Sequence, residues 1–327
     1  MHMLMSFVGA VGTLMTDSGL ADVLASTFAG VGKMLTGKKF PMNMRAMRMV
    51  AEELLRDIVV QGHLKSHNDL MTTLEDLAKR SRTTKMWVDN LIKPVLIMML
   101  YVRAEREGDW PLHMEAVKLM MPYFFALGHV NYARYGLFYL RRMEALPGDA
   151  LQHSMKGSHV MRHTQGIWNG IWSDMFIETT FMRYGHGKAG VIGITLKPET
   201  LKTWALSLHI ILCIRLVKDV LTLRDKSASS KTVHKEEAPA RMSADQGDRD
   251  WLRRKLDVSV NPMDPKKHPA NIVNVVNGQI APESVNVDRA VETGAQQMGE
   301  FERKIAWRFL RHNFEESSNH GCHEEIN

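Results

Sequence analysis

Apolar residues recur with a helical period along most of the first 225 positions. From Asn43 to Val60, the residues Met44, Met47, Val50, Ala51, Leu54, Leu55 and Ile58 fall at i, i+3, i+4 spacing, with Arg45, Arg48, Glu52 and Arg56 between them. That pattern predicts an amphipathic helix with a wide buried stripe. A second long helix is predicted from Thr84 to about Glu107, capped by Thr83 or Thr84. Pro94 removes a backbone donor inside it, so a kink or break is expected there. Asp109-Trp110-Pro111 joins an N-cap oxygen to a first-turn proline and starts a third helix reaching about Phe125, which Gly128 ends. A fourth runs from about Val130 to Glu144 and closes at Pro147-Gly148. Short connections between such helices predict an antiparallel bundle.

The pattern changes after residue 224. Residues 225–250 are rich in Ser, Lys, Glu, Ala and Asp, lack aromatics, and read as a flexible linker. Beyond them lies a poorly ordered C-terminal arm, 251–327, starting with a short helix near Trp251. The β-branched residues of Ile272 to Ile280 flank Asn277-Gly278 and predict a small hairpin. A last helix is expected over roughly Val287 to Leu310, before a polar tail. Ahead of the linker, 1–15 reads as a core helix, 16–165 as the bundle domain and 166–224 as an acidic-helix and basic region. The expected fold class is mainly α.

Composition narrows the function classes. Lys and Arg total 42 against 36 Asp and Glu, a net charge of +6 and a pI near 9.2. Between Arg141 and Arg224 there are eleven basic and six acidic residues, so +5 of that charge sits in about a quarter of the chain. Five histidines lie there too. The span is either a polyanion footprint or a solvated helix surface. The two cysteines, Cys213 and Cys322, are far apart, which excludes a disulfide framework and fits a reducing compartment. Cys213, in the apolar run Leu206 to Leu216, is expected to be a buried thiol. No apolar run approaches the roughly 18 residues of a spanning helix, and no basic region precedes the apolar N-terminus. The expected location is intracellular, in nucleus or cytoplasm, with no membrane partner. The 24 methionines read better as core filling than as an adaptable binding surface.

The chemistry concentrates in Trp168 to Thr195. Asp174 and Glu178 lie one helical turn apart, on one face of an otherwise apolar segment. They are either surface acids or a pair needing a divalent metal, Arg183 or Lys188 as partner. Gly185, Gly187 and Gly190 around Lys188 do not form a phosphate-binding loop: the GxxxxGK[ST] spacing is missing. His159 and His163 have i, i+4 zinc spacing but lack the HExxH glutamate, and read as polar surface histidines. His320, Cys322 and His323 crowd the tail without a recognisable metal pattern.

The blocks MHMLMSFVGAVGTLM, MLTGKK, AEREGDWPLHMEAVKLMMPYFFALGHVNYARYGLFYLRRMEALP and MKGSHVMRHTQGIWNGIWSDMFIETTFMRYGHGKAGVIGITL are similar to those of uncharacterised transposon-derived proteins of invertebrate genomes. The order and spacing of GDW, HVNYARY, the SD…IE pair, K-x-G and TW carry the resemblance, which reaches about residue 225. It implies the C-terminal part of an RNase H-like, DDE-type transposase with a helical insertion, leaving a partial RNase H-like remnant. Glu178 would then be the helical metal ligand and Asp174 a secondary ligand, with His2 lining the same site. The metal would be Mg²⁺ or Mn²⁺ in a two-metal centre. Arg183, Lys188 and Lys197 would contact DNA phosphates. Strand acids upstream of Met1 are missing from this sequence, so the resemblance implies a catalytically incomplete remnant of a DNA strand transferase that retains nucleic-acid binding. The rival expectation is a helical scaffold that binds a protein partner, or its own copy, with no nucleic-acid role.

Overall fold

No charged side chain falls between Met3 and Met15, so a helix there has no face suited to water. A computed structural model places that helix, α1 (His2–Leu14), in the middle of the molecule. The structure describes residues 1–61, 66–162, 168–178, 197–200, 239–268, 270–282 and 292–304, with scattered positions between 202 and 213 and at 285 and 287. Leu4, Phe7 and Val8 are fully buried. Phe7 meets Tyr123 and Phe124 edge-on, at 5.4 and 6.0 Å between ring centroids. Gly12 lets neighbouring backbone approach: a Cβ there would sit 2.2 Å from the Leu35 carbonyl oxygen.

Two short helices, α2 (Leu20–Ala25) and α3 (Val31–Leu35), lead into α4 (Phe40–Gln61), the predicted amphipathic helix. α5 (His67–Arg80) opens with a capping box between Ser66 and Asp69. α6 (Arg82–Trp87) and α7 (Lys93–Glu107) flank a widened π-type turn over Val88–Ile92. Pro94 thus does not break the helix, which runs on with a local change of winding. The helix absorbs the missing donor by widening, with the Lys93 amide reaching back to the Val88 carbonyl. Tyr123 donates to the Asp89 carbonyl in this turn at 3.1 Å. α8 (Trp110–Ala126) starts as predicted, with Asp109 accepting from the Leu112 amide at 2.9 Å. α9 (Val130–Glu144) and α10 (Gly148–Met155) follow. The chain then makes a two-stranded antiparallel hairpin, β1 (Val160–Arg162) with β2 (Gly170–Trp172), and runs straight into α11 (Ser173–Ile177).

The fold is mainly α, as expected, but two boundaries move. One hydrophobic core extends from Leu4 to Val287, so α1 and the bundle are one body. Within the expected linker, residues 239–250 belong to a helix, α12 (Pro239–Val258). Ala, Arg, Met and Gln there favour helix, and Arg45 on α4 anchors it by pairing with both Asp245 and Asp248. Residues 225–238 lie outside the described residues.

The arm that follows lies against the bundle. Expected as helix caps, Thr83 and Thr84 instead spend their hydroxyls on it, donating to the Asn271 and Pro262 carbonyls at 2.8 Å each. Ser81 is the cap, and its hydroxyl also meets the buried His268 ring at 2.7 Å. The predicted hairpin is present as a bridge between Val273 and Ile280, with Gly278 at φ +70° in its turn. Helix resumes over residues 292–304, and 305–327 lie outside the described residues. Cys213, expected to be buried, is exposed, because Leu206, Ile210 and Cys213 share a helical face that is itself exposed. The core-filling reading of methionine fits Met34, Met47, Met86, Met120 and Met121, all fully buried. Among the described residues no helix is long and apolar enough to cross a membrane.

Replacing Arg45 with Ala leaves Asp245 and Asp248 without their shared cation. Breaking charge-assisted hydrogen bonds in a mostly buried setting costs about 2 kcal/mol. Hydrogen exchange across 239–258 is expected to rise in Arg45→Ala while α1 and α8 stay protected. Unchanged exchange in α12 would show that Arg45 does not anchor it.

Candidate functional site

The hairpin aims α11. β2 presses on the end of α7 at Gly170, where a Cβ would lie 1.9 Å from the Glu105 carbonyl oxygen. Arg106 donates to the Gly170 carbonyl at 3.1 Å and lies over the Trp172 ring at 5.4 Å. On the other strand, Arg162 donates to the Glu107 carbonyl. α11 therefore leaves a fixed platform and points back at the beginning of α1.

There the residues singled out in the sequence converge. The Asp174 Oδ2 atom accepts from the Met1 amine at 2.7 Å and from the His2 amide at 3.1 Å. His2 Nδ1 lies 3.1 Å from the same oxygen, and His2 Nε2 lies 3.0 Å from Glu178 Oε1. The imidazole thus bridges the two carboxylates, and with both ionised the arrangement is complete only when both ring nitrogens carry hydrogen. Burial pushes the Asp174 carboxyl up, but hydrogen bonds from the Met1 amine and the His2 and Met175 amides outweigh it, leaving the group below its ordinary value. The cluster is half exposed, at 48% for the His2 side chain and 37% for Asp174.

This geometry answers the metal expectation. The two imidazole nitrogens diverge, so Asp174 and Glu178 stand at opposite edges of the ring and a single ion cannot touch all three side chains as they are placed. These residues do not fit a two-metal centre in this arrangement; the His2 ring stands between the acids, and the Met1 amine pairs with Asp174. Among the described residues, the one trio of His, Cys, Asp or Glu within reach of a single ion lies elsewhere, at Glu105, His113 and His159. Sequence reasoning missed the first two and put His159 on the surface, whereas both its ring nitrogens are buried. Of the expected phosphate contacts, Arg183 and Lys188 lie outside the described residues, as does His163. Lys197 is exposed, its carbonyl accepting from the Thr200 amide.

Beside the acidic cluster, with Met1 in its wall, runs a groove of about 400 Å³ between α4, α7, β2 and α12. Four arginines line it, Arg45, Arg48, Arg106 and Arg241, against one acid, Asp245. Trp168 and Trp172 form the side next to α11, Trp168 at 39% exposure. Asp245 is shared: Arg241 approaches it at 3.2 Å and Arg48 at 3.5 Å, in addition to Arg45. Asp248 and Glu52, just outside the lining, pair with Arg45 and Arg48 as well, so the groove presents guanidinium groups held in an ion-pair network with aromatic rings beside it.

Residues 1–68 and 61–315 match the family described as Domain of unknown function (DUF8702). The chain belongs to that family. No curated protein and no solved structure matches it. The DUF8702 match covers both halves of the site, α1 with His2 and α11 with Asp174 and Glu178.

The depressed Asp174 carboxyl fixes the sign of a pH effect. Its share of the α11–α1 docking is complete above the ordinary carboxylate range, near pH 4, and is lost as pH falls through the lowered value. Trp172 emission is expected to change on that acidification in the native chain. In Asp174→Asn it should already have the acid-like value at neutral pH. A variant indistinguishable from the native chain across the titration would remove Asp174 from the docking.

Proposed function

We propose that this DUF8702 chain is a nucleic-acid-binding protein of transposon descent that works by binding rather than by strand cleavage. The observation that carries the reading is the groove, where four arginines and two tryptophans line one opening. Guanidinium groups neutralise phosphates and release counterions, which makes the attraction independent of sequence. Indole rings stack on unpaired bases, so the groove suits a single-stranded or locally opened segment better than a closed duplex. Arg48 and Arg241, at 32% and 46% side-chain exposure, are the more exposed of the arginines; a phosphate would compete there with Glu52 and Asp245, their present partners. Arg45 and Arg106 hold α12 and β2 in place.

The transposase ancestry rests on the resemblance of the motif blocks. In this reading Arg183, Lys188 and Lys197 are further phosphate contacts, within the span where +5 of the net charge lies. His2, Asp174 and Glu178 form the joint that holds the groove's Trp wall against α1, and no Mg²⁺ or Mn²⁺ step is needed for binding. The nucleus is the location such binding favours. A protein-scaffold reading draws on one observation: α9 exposes Val130, Tyr135 and Phe138 on its outer side.

Binding of the full chain to a fluorescent single-stranded oligonucleotide is expected to weaken steeply with salt. Neutralising two phosphate contacts in Arg48→Gln/Arg241→Gln should flatten the log–log slope by about 1.4, at roughly 0.7 per contact. Trp168→Ala should cost about 1–3 kcal/mol with the slope unchanged. No retention on any nucleic acid at about 50 mM salt would overturn the proposal and favour the scaffold.

A further inference from the structure

The bundle carries a second cluster that the groove does not use. Glu105, at the end of α7, and His113, in the second turn of α8, face each other with side chains only 4% and 9% exposed. Glu105 Oε1 lies 2.5 Å from His113 Nδ1, and His113 Nε2 lies 2.8 Å from the Tyr139 hydroxyl on α9. Trp110 stacks on the His113 ring at 5.4 Å. This pair is hydrogen-bonded on every side. His159 is different. It comes from the turn between α10 and β1, with its ring centroid 5.2 Å from those of both His113 and Trp110. Both of its nitrogens are buried, and neither makes a hydrogen bond of good geometry; among the described residues, the backbone of Ser154 is the one hydrogen-bonding group near the ring.

One backbone group cannot satisfy two ring nitrogens, so at least one buried nitrogen of His159 needs an explanation, because native interiors pair nearly all such groups. One ligand atom from each of Glu105, His113 and His159 lies within 4.8 Å of the other two. We propose that these three side chains bind one divalent transition-metal ion of the zinc class, leaving a fourth position for water or a small ligand. Two imidazole nitrogens and one carboxylate oxygen are a donor set suited to zinc or iron(II) and ill suited to magnesium, which takes oxygen ligands and retains water. The ion takes the place of the proton between Glu105 and His113 Nδ1. His113 Nε2–H then donates to Tyr139, which fixes ring orientation as an outer-shell partner does. Bond lengths of about 2.0–2.2 Å require the ligand atoms to draw closer, and His159, on a turn rather than in a helix, supplies that movement. The turn also gives the ion its way in, since Ser158 is exposed. None of this depends on the nucleic-acid reading.

Cobalt(II) titration of the full chain tests it, in a background where the tail donors are removed (His320→Ala, Cys322→Ser, His323→Ala). The expected result is a visible ligand-field band saturating at one equivalent and displaced by zinc, with no change on adding magnesium. His159→Gln should weaken zinc binding by at least about 100-fold, and Tyr139→Phe by about 10-fold, the lower end for an outer-shell partner. Glu178→Gln should leave it unchanged. Circular dichroism of His159→Gln should match the parent, since the residue lies on a turn. Absence of the band in the parent would overturn the proposal, as would equal zinc affinity in parent and His159→Gln; Glu105 and His113 would then be a closed acid–imidazole pair.

Discussion

Enclosure of α1 is the constraint from which the rest of the structure follows. Thirteen residues without a charged side chain beyond His2 bury apolar surface on every side, and each of the larger side chains gains about 1.5–3 kcal/mol by leaving water. The molecule meets that demand by wrapping α3, α4, α7 and α8 around the helix, with Gly12 admitting a neighbouring backbone. The only polar end of α1 is its start. Because the helix body is held on all sides, His2 is delivered to a fixed place, and the hairpin brings Asp174 and Glu178 to meet it.

Two rigid supports then converge on one groove. The α7 end and the β1–β2 hairpin fix Trp172 and Arg106. The Arg45 pairs to Asp245 and Asp248 fix α12 and with it Arg241. The groove's lining is thus a consequence of how its walls are fastened: arginines that hold elements together through Asp245, Asp248 and Glu52 also face the opening. The C-terminal segment is a buttress in the same sense, since the hydroxyls of Ser81, Thr83 and Thr84 hold its backbone and Val275 fills a fully buried position.

Much of this was legible in the chain itself. The 3.6-residue period over 43–60, the Asp109 cap and the Asn277-Gly278 turn each act through local physics, and they stand where local rules put them. The meeting of Asp174 and Glu178 with His2 followed from the resemblance of the motif blocks, since 172 residues separate His2 from Asp174 and no local rule spans that distance. What failed to show was tertiary. Thr83 and Thr84 look like caps until a distant carbonyl competes for their hydroxyls. Residues 239–250 look like a linker until Arg45 is placed beside them. Glu105 and His113 carried a readable signal: Glu105 falls on the stripe of Met98 and Tyr101, and His113 on that of Ala116, Val117 and Met120. A carboxylate and an imidazole on two adjoining buried stripes call for each other. The missing third partner, His159, comes from a turn whose approach no periodicity specifies.

The central claim is that ligand enters between the arginines of α4 and α12 and the tryptophans beside α11. Hydrogen-exchange mapping of the full chain with and without a single-stranded oligonucleotide tests that placement directly. Protection gathered at 40–48, 168–172 and 239–245 is the predicted result. Bound oligonucleotide that leaves those three segments unprotected would contradict it.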